Sequence, residues 1–310
     1  MAMSLLAQSP DTAQLPPAPA PPVAQEPGAQ QQAAQDATAL SDVVVEGRRL
    51  RSVVEDFVGE VAAPATGGRG PARWNGPVCI GVVNLRPEVA QYIVDRASDV
   101  ARELGLTAGE PGCTANVLII AAADGRAVAD GIVGERRRAF VPGGSGMTRS
   151  FRMLENFRTS EAPIRWWHVS GPVDSESGQL ATRLPGQDAP QIAVSRASRI
   201  RTDIRDDMFK AIIVVDINKT ASLSWTQLAD YLTLIALAQV DPEADVAAFD
   251  TVLNVFDDPA VPGLTDWDMD YLVALYSLEQ NRAGSGARTA EFVNLMLRAS
   301  REEPGEPGTD

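Results

Sequence analysis

The strongest constraint on the fold is a strand–helix–strand pattern over residues 78–123. Residues 78–85 (VCIGVVNL) and 115–123 (ANVLIIAAA) are continuous apolar runs, which are typical of strands buried on both faces. Between them, Pro87 stands at a first helical position, Gly105 follows the last turn, and apolar residues recur at helical spacing. Two strands joined by one helix predict a βαβ unit whose strands are parallel and adjacent or nearly so.

The sequence pattern of the remaining core residues predicts further strands and then a run of helices. Strands are predicted at 164–170 (IRWWHVS) and 208–217 (MFKAIIVVDI), and helices at 148–157, at 225–239, from near Asp245, from Thr265 to about Asn281, and at 288–299. Ser224 and Gln227 have the spacing of a capping box at the start of the second of these helices. The predicted fold class is α/β (α+β), with a βαβ start, a mixed β-sheet and a C-terminal helical half.

The two ends of the chain differ in composition from its centre. The first forty residues hold eleven Ala, seven Pro and seven Gln, a composition that cannot bury enough apolar surface to offset the entropy of ordering. We therefore expect a disordered tail over residues 1–72, one domain over 73–299 and a second disordered tail over 300–310. Within the first tail, residues 42–46 (DVVVE) are interpreted either as an edge strand or as a docking peptide.

Charge and hydropathy restrict partners and location. The net charge of −14 argues against nucleic acid as a partner, and no apolar run is long enough for a membrane span. The short apolar segment Ala2 to Ala7 is consistent with a start further upstream and a signal peptide that ends there. We expect a periplasmic or secreted protein; the alternative is a cytoplasmic protein with a flexible tail.

The chain has two cysteines, Cys79 and Cys113. Cys79 lies at the start of the first predicted strand and Cys113 lies just before the parallel second strand, so both lie near the same edge of the βαβ unit and a disulfide is favoured. The alternative is a pair of reduced cysteines in a cytosolic protein. A nucleophilic Cys79 activated by a histidine has no local support.

His168 is the only histidine, which excludes a histidine-ligated zinc peptidase. Three alternate acids, Asp266, Asp268 and Asp270, resemble the start of a calcium loop, but the glycine and glutamate that such a loop needs are replaced by Tyr271 and Ser277. Acids at a helix start are better explained by the helix dipole. No metal and no cofactor is therefore predicted.

The order of elements in the last third carries a resemblance. A strand at 211–217 precedes a helix at 225–239, then come 250–256 (DTVLNVF) and 263–276 (GLTDWDMDYLVALY). This order resembles the metallopeptidase (zincin) fold, and more narrowly a family of uncharacterised exported alphaproteobacterial proteins with the same Leu-Thr-Asp-Trp-Asp ending. In that fold the helix would carry HExxH, but here residues 228–235 read LADYLTLI, without a ligand histidine or a catalytic glutamate.

The resemblance implies a non-catalytic exported envelope protein that keeps a degenerate metallopeptidase-like scaffold for binding a peptide or protein. The residues expected to line a candidate pocket are Asp230, Thr233, Asp216, Trp166 and His168. For Trp166 and His168 the simpler interpretation is a buried strand with a hydrogen-bonded histidine. The strand at 164–170 is expected to be an edge available for β-augmentation. The alternative function is a hydrolase with an unrecognised carboxylate site, formed by Asp230, Asp216 and Glu243.

Overall fold

The computed structural model describes residues 49–63, 70–140, 151–181, 202–280 and 284–301, and the chain from Leu50 onward forms one compact unit. The helices are α1 (49–61), α2 (Pro87–Glu103), α3 (Gly125–Phe140), α4 (Phe151–Thr159), α5 (Trp225–Leu237), α6 (Asp266–Ser277) and α7 (Ser285–Ala299), with a 3-10 turn at Val252–Asn254. The strands are β1 (Ile80–Val83), β2 (Val117–Ala122), β3 (Ile164–Asp174) and β4 (Ile204–Asp216).

The described strands form one mixed sheet in the order β1-β2-β4-β3. Strands β1, β2 and β4 are parallel, and β3 runs antiparallel to β4 along its whole length. The predicted βαβ start is confirmed, because α2 connects two parallel strands that are direct neighbours. The mixed α/β class is confirmed as well.

Two apolar layers cover the sheet. The larger one packs α1, α2, α5, α6 and α7 against one face and includes Ile119, Ile213 and Leu232. The smaller one packs α3 and α4 against the opposite face, around Trp167 and Val214. Because side chains alternate along a strand, Trp166 and Trp167 belong to different layers.

The folded domain begins earlier than the sequence indicates. Residues 49–61, placed in the N-terminal tail, form α1, and Val54, Phe57 and Val61 lie fully buried in the larger layer. This corrects the predicted boundary at residue 72. The predicted strand or docking peptide at 42–46 lies outside the described residues, as do residues 1–48 and 302–310 of the predicted tails.

The prediction of a helix that begins near Asp245 is wrong. The chain between α5 and the 3-10 turn makes bends and turns instead, and the side chain of Asn254 donates to the carbonyls of Val246 (2.9 Å) and Phe249 (2.7 Å). These bonds occupy carbonyls that a helix would use for its own ladder.

The predicted disulfide is present between Cys79 and Cys113, whose Cα atoms lie 6.1 Å apart. Both cysteines lie where the βαβ argument places them, before the starts of β1 and β2. Gly109 packs against this bridge so closely that an added Cβ would meet the Cys113 Sγ atom at 2.5 Å, so only glycine fits there.

Candidate functional site

A cavity of about 180 Å³ lies at the start of β3, between α4 and α5. Its walls come from α4, the strand start, α5 and the loops around the 3-10 turn, and are formed by Asn156, Phe157, Ser160, Ala162, Pro163, Ile164, Arg165, Trp166, Tyr231, Pro242 and Phe256. The position follows from the topology, because β3 is the outermost described strand on its side of the sheet.

The cavity borders unpaired backbone at the outer edge of β3. Asp216 N–H donates to the Pro163 carbonyl (2.9 Å), and the register then makes Arg165 and Trp167 the next residues that bond to β4. The N–H and C=O groups of Ile164 and Trp166 therefore point away from β4, and no described residue bonds to them there. At the far end of β3 the outer edge is closed by the chain itself, since Ala181 N–H donates to the Pro172 carbonyl (2.9 Å).

Arg165 is the charged residue of the lining. It is 2% exposed, and its Nη2 donates to the carbonyl of Ala162 at 2.9 Å. The Nε and Nη1 groups have no hydrogen-bond partner among the described residues. A buried guanidinium without an acidic partner is uncommon, because burying an unpaired charge costs several kcal/mol.

Tyr231 lies between two aromatic rings of the lining. Its ring centroid is 6.2 Å from that of Trp166 and 5.4 Å from that of Phe256, and both pairs are edge-to-face. The residue is 6% exposed, and its hydroxyl makes no hydrogen bond to a described residue. Burial raises the pKa of Tyr231 above the usual range, so the hydroxyl is a neutral donor at physiological pH.

Of the five predicted pocket residues, Trp166 lines this cavity. His168 Nε2 bonds to the carbonyl of Ile235 (2.7 Å), which joins β3 to α5, and the ring is buried. Thr233 is fully buried and its hydroxyl donates to the Ala229 carbonyl one turn earlier (2.7 Å). Both side chains therefore connect parts of the core.

Asp230 and Asp216 fix the ends of elements. Asp230 accepts from the Arg96 guanidinium of α2 and from Leu264 N–H (2.9 Å), and a side chain at Gly263 would overlap its carboxylate. Asp216 accepts backbone N–H bonds from three residues: Gly125 (3.2 Å), Asn218 (3.1 Å) and Lys219 (3.2 Å).

The three carboxylates of the predicted hydrolase site are held by different partners. Glu243 accepts from the Arg152 guanidinium (2.7 Å) and from Asn156 Nδ2 (2.9 Å), at the rim of the cavity. Asp216 and Asp230 are bonded as described above. These hydrogen bonds tie each carboxylate to a separate part of the fold.

The sequence pointed to Trp166 but not to Arg165 or Tyr231. Residues 229–237 of α5 are all buried, so hydropathy gives no polar face by which to tell which side of the helix meets a cavity. For Arg165 a signal existed: it is a charged residue within an otherwise apolar strand start (PIRWW).

Among the described residues, no three or more His, Cys, Asp or Glu side chains come together as a metal-binding group. No described helix combines the length and the apolar character that a bilayer-spanning segment needs. Comparison with protein-family models, with curated proteins and with solved structures found no match for this chain.

Proposed function

We propose that this chain is an exported, non-catalytic binding protein that holds an extended segment of a peptide or partner protein against the start of β3. The observation that carries the proposal is the cavity beside Ile164 and Trp166, whose outward backbone groups lack partners among the described residues. An extended peptide can supply those partners and place one side chain in the cavity.

The geometry of β3 limits where such a segment pairs. Residues 179–181 close the far end of the outer edge through Asp174 N–H, which donates to the Gln179 carbonyl (2.8 Å), and through the Ala181 bond described above. A visiting strand would therefore pair near residues 164–166. It would be short, and its affinity would depend on the cavity as much as on backbone bonds.

The scaffold in this proposal is a degenerate metallopeptidase-like one. The order of β4, α5, the 3-10 turn and α6 supports it, together with the absence of histidine and glutamate from residues 228–235 of α5. Export belongs to the same proposal. The Cys79–Cys113 disulfide supports export, because disulfides persist in oxidising compartments.

Backbone hydrogen exchange tests the proposal directly. A synthetic library of random linear peptides, half with a free C-terminal carboxylate and half amidated, is incubated with the purified protein, and retained peptides are identified by mass spectrometry. On addition of a retained peptide, we expect amide exchange at Ile164 and Trp166 to slow by about tenfold or more, because their N–H groups gain acceptors.

The neighbouring amides are the internal control. Arg165 and Trp167 point their N–H groups at β4, so their exchange should not change when a peptide binds. The proposal fails if no peptide is retained, or if retained peptides leave the Ile164 and Trp166 amides unprotected.

A further inference from the structure

The cavity at the start of β3 is walled mainly by aromatic rings. Phe157, Trp166, Tyr231 and Phe256 line it, and the Tyr231 ring lies edge-to-face against those of Trp166 and Phe256. Trp166 and Tyr231 belong to the larger apolar layer and Phe256 packs against it, so these three rings lie on the α5 side of the sheet. A ring that enters the cavity gains edge and face contacts with them, in addition to the burial of its apolar surface.

Tyr231 contributes an open hydroxyl to this aromatic wall. The residue is 6% exposed, and its hydroxyl bonds to no described residue. The hydroxyl oxygen of Tyr271 is enclosed by the protein, whereas that of Tyr231, which lines the cavity, is not. The indole N–H of Trp166 already donates to the Val240 carbonyl (3.0 Å). A ligand with its own hydrogen-bonding group would therefore find its partner in the Tyr231 hydroxyl.

The described lining presents no open charge to a ligand. Arg165 belongs to the lining, but it pairs with Val214, which lies in the smaller layer, so its side chain points toward α3 and α4. Its Nε and Nη1 atoms are buried there, and Nη2 donates to the Ala162 carbonyl. No aspartate or glutamate is among the described lining residues. These walls suit a neutral group, because a charged one would lose its hydration without gaining a partner.

Volume and direction restrict the ligand further. An apolar cavity of about 150 Å³ is large enough for one benzene molecule. This cavity measures about 180 Å³, so one six-membered ring with a small substituent fits. When a strand pairs with the outer edge of β3, the side chain opposite Trp166 lies on the same side of the sheet as the Trp166 ring. That side chain would point toward Tyr231 and Phe256.

We propose that the cavity binds the side chain of a tyrosine in the extended segment that pairs with β3, and that the hydroxyl of this tyrosine bonds to the hydroxyl of Tyr231. The inference rests on the proposed function, because it names the residue that the binding protein selects. A small free phenol offers the same chemistry, so the test separates the two sources.

The first measurement compares tyrosine with phenylalanine in one peptide. We expect the peptides retained from the random library to be enriched in tyrosine. Replacing that tyrosine by phenylalanine should weaken binding about fivefold in calorimetric titrations, because one hydrogen bond in a buried site is lost. Replacement by alanine should weaken it about thirtyfold or more, because burial of the ring is lost as well. The small probes are p-cresol and toluene, followed by the indole N–H resonance of Trp166, and p-cresol should shift it at the lower concentration.

Three variants of the chain assign the preference to residues. Tyr231→Phe should bind the tyrosine and phenylalanine peptides equally, with an unchanged unfolding midpoint in urea, since no hydrogen bond to a described residue is removed. Tyr271→Phe is the matched control: it deletes the hydroxyl of another buried tyrosine, which is outside the lining, and the preference should persist. Phe256→Leu should weaken both peptides by a similar factor, because it removes ring contacts and leaves the Tyr231 hydroxyl in place.

The outcomes separate this inference from the proposed function. Equal binding of tyrosine and phenylalanine peptides, with slower exchange at Ile164 and Trp166, overturns the tyrosine site and leaves β-augmentation standing. A tyrosine preference that survives in Tyr231→Phe overturns the hydrogen bond on which the inference depends. Binding of p-cresol that requires Tyr231, without retention of any peptide, makes the ligand a free phenol and overturns both proposals. If Tyr231→Phe does not fold, the comparison of the two peptides on the wild-type protein still decides the inference.

Discussion

Asp216 and Arg165 are both buried charges near the start of β3, but they are satisfied to different degrees. Asp216 is 4% exposed and its carboxylate accepts three backbone N–H bonds at the end of β4. It thereby fixes the turn after β4 and the first residue of α3. The Arg165 side chain makes one hydrogen bond within the described part of the chain.

Asp216 is expected to contribute to the fall in the free energy of unfolding at acidic pH. Burial alone would raise the pKa of Asp216, but the N–H bonds from Gly125, Lys219 and Asn218 outweigh it, so the pKa lies below its ordinary value. Its stabilising effect is therefore present above the ordinary pKa and is lost as pH falls through the lowered value of the folded state.

For Asp216→Asn we expect a loss of about 1–3 kcal/mol in the free energy of unfolding near neutral pH, with a smaller loss on acidification than in wild type. Urea denaturation over a pH series measures both. Glu135→Gln, at an exposed acid of α3, is the control and should follow wild type. Parallel pH profiles for Asp216→Asn and wild type would contradict the expectation.

At the scale of elements, two helices begin with a capping box, and the two boxes differ in how many neighbouring segments they bond to. Ser224 Oγ accepts from Gln227 N–H (3.1 Å) at the start of α5. Thr265 Oγ1 accepts from Asp268 N–H (3.1 Å) at the start of α6 and also lies 2.8 Å from the Asp250 carbonyl. The fully buried Asp268 carboxylate in turn accepts from Val252 N–H (2.8 Å), so this cap joins α6 to the 3-10 turn.

We therefore expect Thr265→Ala to destabilise the protein more than Ser224→Ala does, by about 2 against about 1 kcal/mol. Thermal and urea unfolding of both variants provide the comparison. Thr265→Ser keeps the hydroxyl and should stay within about 0.5 kcal/mol of wild type. Equal losses for the two alanine variants would show that the Asp268 network adds nothing to the cap.

These caps also show which parts of the fold can be predicted from the sequence. The α5 cap was predictable because its signal is local: a serine, and a glutamine three residues later. Helix α1 also had a local signal, since Val54, Phe57 and Val61 have helical spacing. The Pro- and Ala-rich composition around this segment favoured a disordered tail instead. The bends around Asp245 depend on Asn254, nine residues away, and no local pattern contains that information.

The candidate site was predictable only in part for the same reason. The position of Trp166 on a strand follows from the sequence pattern, whereas the place of β3 in the sheet comes from the strand order. Arg165 and Tyr231 both line the cavity, although sixty-six positions separate the two residues along the chain.

At the scale of the whole molecule, the disulfide is the main covalent constraint. Cys79 and Cys113 are separated by 34 residues, for which the chain-entropy model gives about 3–4 kcal/mol. We expect reduction with dithiothreitol to lower the free energy of unfolding by that amount. The Cys79→Ala/Cys113→Ala double variant should match the reduced protein and not respond to reductant. An effect of dithiothreitol on the double variant would refute this account.

The same bridge makes residues 79–113 a covalent ring that contains the whole of α2. A single proteolytic cut inside this ring leaves both new chain ends attached to one molecule, so a nicked protein keeps its full mass until it is reduced. Arg96 belongs to that ring and pairs with Asp230 of α5. After a nick elsewhere in α2, the segment carrying Arg96 cannot diffuse away, and the contact between α2 and α5 can form again.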